Sequence, residues 1–347
     1  MSTLKHKPTS ATLDTLAAIW QRTLQLPAVG HEENFFDLGG DSATALELFS
    51  AIALAFQREL PPVTIYQAPT IATLAALLQE AGESKFPAIV RLKAGNQDPP
   101  LFLTHGLGGT VIDFYQVVRH IDTLRPLYGM QARGVDGIET AFDRIEDMAQ
   151  YYLDAVEAVQ PDGPYLLAGY SLGGLVTLEM AQRLTAKGKR VALLVLLDAY
   201  PHVLQLSRWQ RAQLMWQKAR REIAELLKLP LRSKLYVLAH PSERKALLPP
   251  DPYQVLAEAP LSPAMQQMRD RAYLALRRYQ PPHYPGKIRF VKAGVITCFP
   301  ANPGAIWSRY ADELELTTLP ADHLGIMTTH ALQTAAVLSQ YIKEVSA

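Results

Sequence analysis

The chain has 347 residues, 48% of them hydrophobic and 19% charged, with a formal net charge of +1 at pH 7. That is apolar material enough for two domains or one large mixed one, and the charge balance lacks the basic excess of a protein that grips a phosphate backbone. The single Cys298 excludes an intrachain disulfide and a cysteine cluster for zinc or iron–sulfur, the opening MSTLKHKPTSATL lacks the apolar run of a signal peptide, and no stretch approaches the roughly 18 apolar residues of a membrane span. The expectation is a soluble, cytoplasmic protein with no nucleic-acid or membrane partner.

The first eighty or so residues read as helical. TLDTLAAIWQRTLQL sets Leu13, Leu16, Ile19 or Trp20 and Leu24 near one stripe. GHEENFFDLGG interrupts the pattern around Phe35 and Phe36. SATALELFSAIALAF resumes it, with Ala43, Leu46, Phe49 or Ser50, and Ala53 as the expected face, and Leu60-Pro61-Pro62 stops it. APTIATLAALLQEAG starts a last helix, with Thr70 as its cap and Gly82 past its end. With no strand signal among them, these helices predict a small all-α bundle over 8–82, followed by a polar linker at 83–86.

Beyond the linker, from 87 to 346, the texture changes. AIVRL, PLFLTHG, PLYGMQA, PYLLAGYS, VALLVLLDA, KIRFVKAG and LELTTLP are short apolar or β-rich runs, several separated by helical stretches such as RIEDMAQYYLDAVEAV and GLVTLEMAQRLTAKG. Continuous apolar strands alternating with helices predict a mostly parallel sheet covered on both faces. Residues 201–282 break the alternation with two long helical patterns, too long a piece for an ordinary connection. One aligns Trp216, Ala219, Ile223 and Leu226 opposite Arg220, Arg221 and Lys228. The other starts at Ser262 as cap and Pro263, with Met265, Met268, Ala272 and Leu276 along one side. The segment reads as a cover over a site or as extra packing.

The strongest chemical signal is Gly169-Tyr170-Ser171-Leu172-Gly173, between the strand PYLLA and the helix GLVTLEMAQRL. A nucleophile elbow needs this context, because side chains flanking the strained serine would strike neighbouring backbone. A serine needs a base and a group that orients it. In the order Ser…Asp…His, His323 in ADHLGIM follows a strand and precedes the closing helix. His283 in PPHYPG lacks that placement, and His330 reads as part of the final helix. Asp198, ending VALLVLLD, is the expected carboxylate; Asp322 is the rival, although a neighbour of the base usually points elsewhere. The oxyanion donors expected are the backbone amides of Leu172 and of Leu107 in FLTHGLGG, with His105 bracing that loop.

These pieces carry a resemblance. FLTHGLGG, YLLAGYSLGG, LLDAYPH, RRYQPPHYPGKIRFVKAG and ADHLGIM make residues 87–345 similar to the thioesterase domain that ends nonribosomal peptide synthetases and some polyketide synthases, an α/β-hydrolase family. ENFFDLGGDSATALEL makes residues 10–80 resemble an acyl or peptidyl carrier domain, with alanine at position 43 where that family commonly has leucine. The resemblance implies a carrier bundle followed by an α/β-hydrolase fold with a lid at 201–282. It implies Ser171, Asp198 and His323 as the triad and Ser42 as the attachment point of 4′-phosphopantetheine. It further implies a phosphopantetheinyl transferase and upstream synthetase domains as partners, and release of an acyl or peptidyl thioester by hydrolysis or cyclisation. The competing expectations are a general esterase on free substrates and a carrier or docking module without catalysis.

Overall fold

Helices alone fill the described part of the chain before residue 89, and the reason is local. The computed structural model describes residues 9–40, 42–58, 60, 62, 64–79, 87–135, 139–228, 263–295 and 302–345. Helix α1 (Ser10–Leu24) starts where the Thr9 side chain accepts the Thr12 N–H, and stops where Gln25 turns left-handed at φ 55°. Helix α2 (Ser42–Phe56), the short α3 (Thr64–Gln67) and α4 (Ile71–Gln79) follow. The predicted cap is in place, with the Thr73 amide donating to the Thr70 hydroxyl at 3.2 Å. The bundle closes on Leu16, Trp20, Phe35, Leu48, Ile52 and Leu74, all fully buried, and the Trp20 ring meets Phe35 edge-on at 5.3 Å.

One helix turns differently from its sequence reading. The buried side of α2 is Ala45, Leu48, Phe49 and Ile52, whereas Leu46 and Ala53 are half-buried and Ser50 is exposed. Eleven of the fifteen positions of α2 are apolar, so periodicity offers several equivalent stripes, and packing against α1 selects among them. The expected linker at 83–86 and Gly82 lie outside the described residues.

A seven-stranded sheet in the order β1-β3-β2-β4-β5-β6-β7 forms the second part. Its strands are β1 (Ile89–Lys93), β2 (Leu101–Thr104), β3 (Leu127–Met130), β4 (Tyr165–Tyr170), β5 (Val191–Leu197), β6 (Tyr284–Ala293) and β7 (Ala311–Leu319), so each expected strand run is a strand. Only β1 runs antiparallel, against β3; every other pairing is parallel. Helices α6 (Ile145–Val159) and α7 (Leu172–Ala186) cover one face, and α5 (Tyr115–Val118) the other, giving two apolar layers. Every residue of β4 is buried, which explains its unbroken apolar run. The order reverses direction between β2 and β4, and the crevice beyond such strand ends is where open α/β sheets place their chemistry.

The segment after β5 supplies two long helices, α8 (Arg208–Lys228) and α9 (Pro263–Arg278), and residues 229–262, with Ser262 and His240, lie outside the described residues. Pro263 takes the first position of α9 as expected, and Met268, Ala272, Ala275 and Tyr279 are buried against the sheet domain. The Tyr279 hydroxyl donates to Glu179 of α7 at 2.9 Å, tying down the exit of this segment. Helix α8 forms as expected, with the described part of its apolar stripe exposed. Trp216 and Ile223 are 63% and 50% exposed, and of its described side chains only Leu214 is buried. A helical stripe reports only that a face is apolar, not that a neighbour covers it. The chain closes with α10 (Gly304–Trp307) and α11 (Ala331–Glu344), the latter on the α5 side. No helix among the described residues is long and apolar enough to cross a membrane.

The two parts touch. Phe36 stacks on Tyr115 of α5 with ring centroids 3.6 Å apart and planes 16° from parallel, and Ile112, 4% exposed, joins the core of the helical bundle.

Candidate active site

Strand β4 ends at Tyr170, and Ser171 follows in a strained turn with φ 55° and ψ −121°, before α7 begins at Leu172. Two glycines make the turn possible. A Cβ on Gly169 would fall on the Gly173 carbonyl, and one on Gly173 would fall on the carbonyls of Thr104 and His105. The backbone after β2 therefore packs directly on the start of α7. Holding a serine in such a region costs about 1–3 kcal/mol, supplied by the buried sheet on either side.

Parallel pairing sets Tyr170 against Leu197, so the residue after each strand emerges at the same edge. Beside Ser171 that residue is Asp198, 1% exposed. Its Oδ1 accepts the Ala293 amide at 3.0 Å, and its Oδ2 lies 2.7 Å from Nδ1 of His323, itself 3% exposed. A carboxylate only accepts, so Nδ1 carries the proton and Nε2 the basic lone pair. The Tyr200 phenol is pushed far above its ordinary value by burial and then by the Asp198 charge, and so stays neutral beside it. Asp322 turns away and accepts the Gly325 amide at 2.6 Å. Tyr170, which sequence reasoning passed over, stacks on the His323 ring at 4.8 Å and donates its hydroxyl to the His323 carbonyl at 2.9 Å. No sequence signal singles it out, because its contact lies 153 residues away in the chain.

The loop after β2 turns tightly, with the Gly109 amide bonded to the Gly106 carbonyl at 3.2 Å. Leu107, second in that turn, does not spend its N–H on the closing bond. Leu172 is the first residue of α7, where an amide has no acceptor within the helix. His105 braces the loop as expected: Nδ1 lies 2.5 Å from the Gly106 carbonyl and Nε2 2.5 Å from the Tyr152 hydroxyl. A carbonyl cannot donate, so Nδ1 holds the proton and Tyr152 donates to Nε2. Burial lowers the pKa of this ring to about 4 and keeps it neutral, despite the pull of the Gly106 carbonyl. Nearby, Asp113 carries an Oδ2 3.9 Å from where a Gly108 side chain would begin, and burial raises its pKa to about 6. An apolar cleft lined by Leu107, Gly109, Ala132, Phe142 and Met268 adjoins the turn beneath α9.

His202, His283 and His330 stand elsewhere. His283 is exposed and 3.4 Å from Asp312, and His202 caps a short turn. His330 sits just ahead of α11 instead of within it, since the helix starts only at Ala331. Cys298 lies outside the described residues. Among the described residues no group of three or more His, Cys, Asp or Glu side chains could hold a metal ion.

Ser42 stands apart from this cluster, as the first residue of α2. Gly39 reaches it through a left-handed turn at φ 92°. The first turn of α2 carries no acidic residue to oppose the positive end of the helix.

Residues 14–78 match the phosphopantetheine attachment site family and residues 99–237 the thioesterase domain family. The chain joins a carrier domain to a thioesterase domain. This carrier–thioesterase didomain is 40% identical over 190 residues to a dimodular nonribosomal peptide synthase of Bacillus subtilis (strain 168), a match covering 54% of the didomain and 8% of that protein. It is 34% identical over 198 residues to indigoidine synthase of Dickeya dadantii (strain 3937), covering 56% and 13% respectively. The didomain thus spans a small fraction of the length of the curated relatives it matches. A crystal structure of a holo four-domain nonribosomal peptide synthetase bound to AMP and glycine superposes with a TM-score of 0.58 at 26% identity, over 98% of the didomain and 27% of that chain. The carrier domain brings a covalent 4′-phosphopantetheine site, and the thioesterase domain brings the hydrolase fold that the sheet order displays.

Proposed function

We propose that the didomain releases an acyl or peptidyl chain from its own carrier through an acyl ester on Ser171. Residues 8–82 serve as the carrier, 83–86 as the linker and 87–346 as the thioesterase, with 201–282 as its lid. 4′-Phosphopantetheine, joined through Ser42, supplies the thiol on which the acyl group is held as an activated thioester. The observation that carries the reading is the 2.7 Å pairing of Asp198 with Nδ1 of His323, at the same sheet edge as the strained Ser171.

Each residue has a role in this scheme. The Nε2 lone pair of His323 takes the Ser171 proton as the hydroxyl attacks the acyl carbonyl. The amides of Leu107 and Leu172 hold the developing oxyanion, each such donor being worth roughly 3 kcal/mol in the transition state. Asp198 holds the ring in the tautomer that accepts at Nε2 and offsets the imidazolium charge. His323 then gives its proton to the departing thiolate. In the second half it takes a proton from water, or from a nucleophile of the acyl chain itself, which attacks the Ser171 ester, and it returns that proton to the Ser171 oxygen as the acyl–oxygen bond breaks. A phosphopantetheinyl transferase is the partner that modifies Ser42, and upstream synthetase modules supply the acyl chain.

The test is Ser171→Ala in the full chain. Loading of Ser42 by a transferase and acyl-coenzyme A, read by intact mass, should match the unaltered protein, while single-turnover release should fall to the uncatalysed rate. Release at the original rate would exclude the covalent scheme.

A further inference from the structure

The contact between the domains joins two segments that lead, along the chain, to functional residues on either side. On the carrier side, Phe36 lies in the turn that leads to Ser42. The Gly40 amide bonds back to the Phe35 carbonyl at 3.0 Å, so the chain returns to the Phe35–Phe36 pair before α2 begins. Two residues later it reaches Ser42, a reach of at most about 7 Å from Gly40. On the thioesterase side, Tyr115 opens α5 directly after the short helical turn Ile112–Phe114. The Phe114 amide bonds to Val111 at 3.0 Å, and the Gly109 carbonyl two residues earlier accepts the Ala132 amide at 2.9 Å. One aromatic contact therefore ties the root of the carrier serine to the segment that continues the Leu107 turn.

The composition of the contact suits docking. Phe36 and Ile112 are 5% and 4% exposed, so the centre is apolar and nearly dry. The Arg119 guanidinium lies 5.4 Å over the Tyr115 ring from the thioesterase side, while Asp37, next to Phe36, acts on the same phenol from the carrier. An apolar centre flanked by opposite charges from the two partners gives both adhesion and register.

We propose that Tyr115 is the docking residue that seats the carrier domain of this chain, through Phe36, in the position from which its acyl group reaches Ser171. The proposal rests on the release reading above. Tyr115 is a positioning residue in it, acting through the carrier and not on the reacting atoms.

The experiment uses the full chain as the unaltered protein, Tyr115→Ala and Tyr115→Phe, each loaded at Ser42 with an octanoyl group. Three quantities are read: single-turnover release from Ser42, hydrolysis of free octanoyl-N-acetylcysteamine thioester, and nitrogen-15 relaxation of the carrier amides. In Tyr115→Ala, release from Ser42 should slow roughly tenfold, about the effect of one lost aromatic stack. Hydrolysis of the free thioester should be unchanged, and the carrier amides should relax as a smaller, independently tumbling body. Tyr115→Phe, which keeps the stacking ring, should restore both release and slow tumbling. If Tyr115→Ala releases at the original rate with carrier relaxation unchanged, the docking role is overturned. Equal loss on the free thioester, unrescued by Tyr115→Phe, also overturns it by making Tyr115 a support of the hydrolase fold. If the unaltered protein hydrolyses neither substrate, the release reading fails, and unchanged or faster carrier tumbling in Tyr115→Ala still decides the contact.

Discussion

Ser171 and Asp198 stand side by side one residue past the paired ends of β4 and β5, and both turn left-handed, with φ of 55° and 46°. The Ser171 amide still bonds to the Leu197 carbonyl at 2.9 Å, and the Asp198 amide to Val291 at 2.8 Å. The ladder thus holds each residue to its last backbone bond, and the chain then leaves the sheet abruptly. Two residues with separate places in the sequence are brought to one sheet edge by the same device.

Asp198→Asn tests the electrostatic half of that device. Asparagine keeps the shape and tolerates a left-handed backbone, so stability should change by no more than about 1 kcal/mol in denaturant unfolding. An amide can present its NH₂ to Nδ1, which favours the tautomer with the proton on Nε2. Single-turnover release should then fall by about 10⁴-fold.

Ser171→Gly tests the strain. Glycine accepts the conformation that serine is forced into, so the variant should unfold about 1–3 kcal/mol less readily while losing release. A midpoint in urea no higher than that of Ser171→Ala would mean the turn stores no strain.

Gly173→Ala should be among the most damaging single changes in the thioesterase domain. The added methyl meets the backbone of Thr104 and His105, which cannot rotate away as a flexible side chain could. Separation of β2 from α7 should cost at least about 3 kcal/mol, read as a lowered thermal midpoint.

The pH dependence of stability should show two opposed slopes from groups beside the Leu107 turn. His105 is held neutral with a pKa of about 4, below its ordinary 6.5. The unfolded chain therefore binds this proton first, and the stability is full above pH 6.5 and lost as pH falls toward 4, by about 3 kcal/mol. Asp113 has its pKa raised from 3.8 to about 6, so the folded chain holds the extra proton and stability declines as pH rises from 3.8 to 6. Asp113→Asn should remove that decline, stabilising the protein at pH 7 by up to about 3 kcal/mol. Urea midpoints of this variant between pH 6 and 4 should fall more steeply with acidification than those of the unaltered protein.

Local rules made much of the protein readable in advance. Thr70 caps α4 because a hydroxyl at that place satisfies an amide of the first turn. The strands announce themselves because a strand buried on both faces must be apolar throughout. The Gly169–Gly173 elbow is legible because only glycine fits its two crowded sites. Nearest-neighbour sterics and hydrogen bonding decide all three, and they need no knowledge of the rest of the chain.

Tertiary structure decided what depends on a partner. The side of α2 that is buried follows from α1, and the exposed stripe of α8 from what packs against it, since an apolar face is indifferent to its neighbour's identity. The choice of Asp198 over Asp322 was fixed by strand register, which brings residues 125 positions apart to 2.7 Å. Tyr170 on His323, Tyr152 on His105 and Phe36 on Tyr115 carry no local signature, because an aromatic side chain is an ordinary core residue until folding brings a particular ring against it.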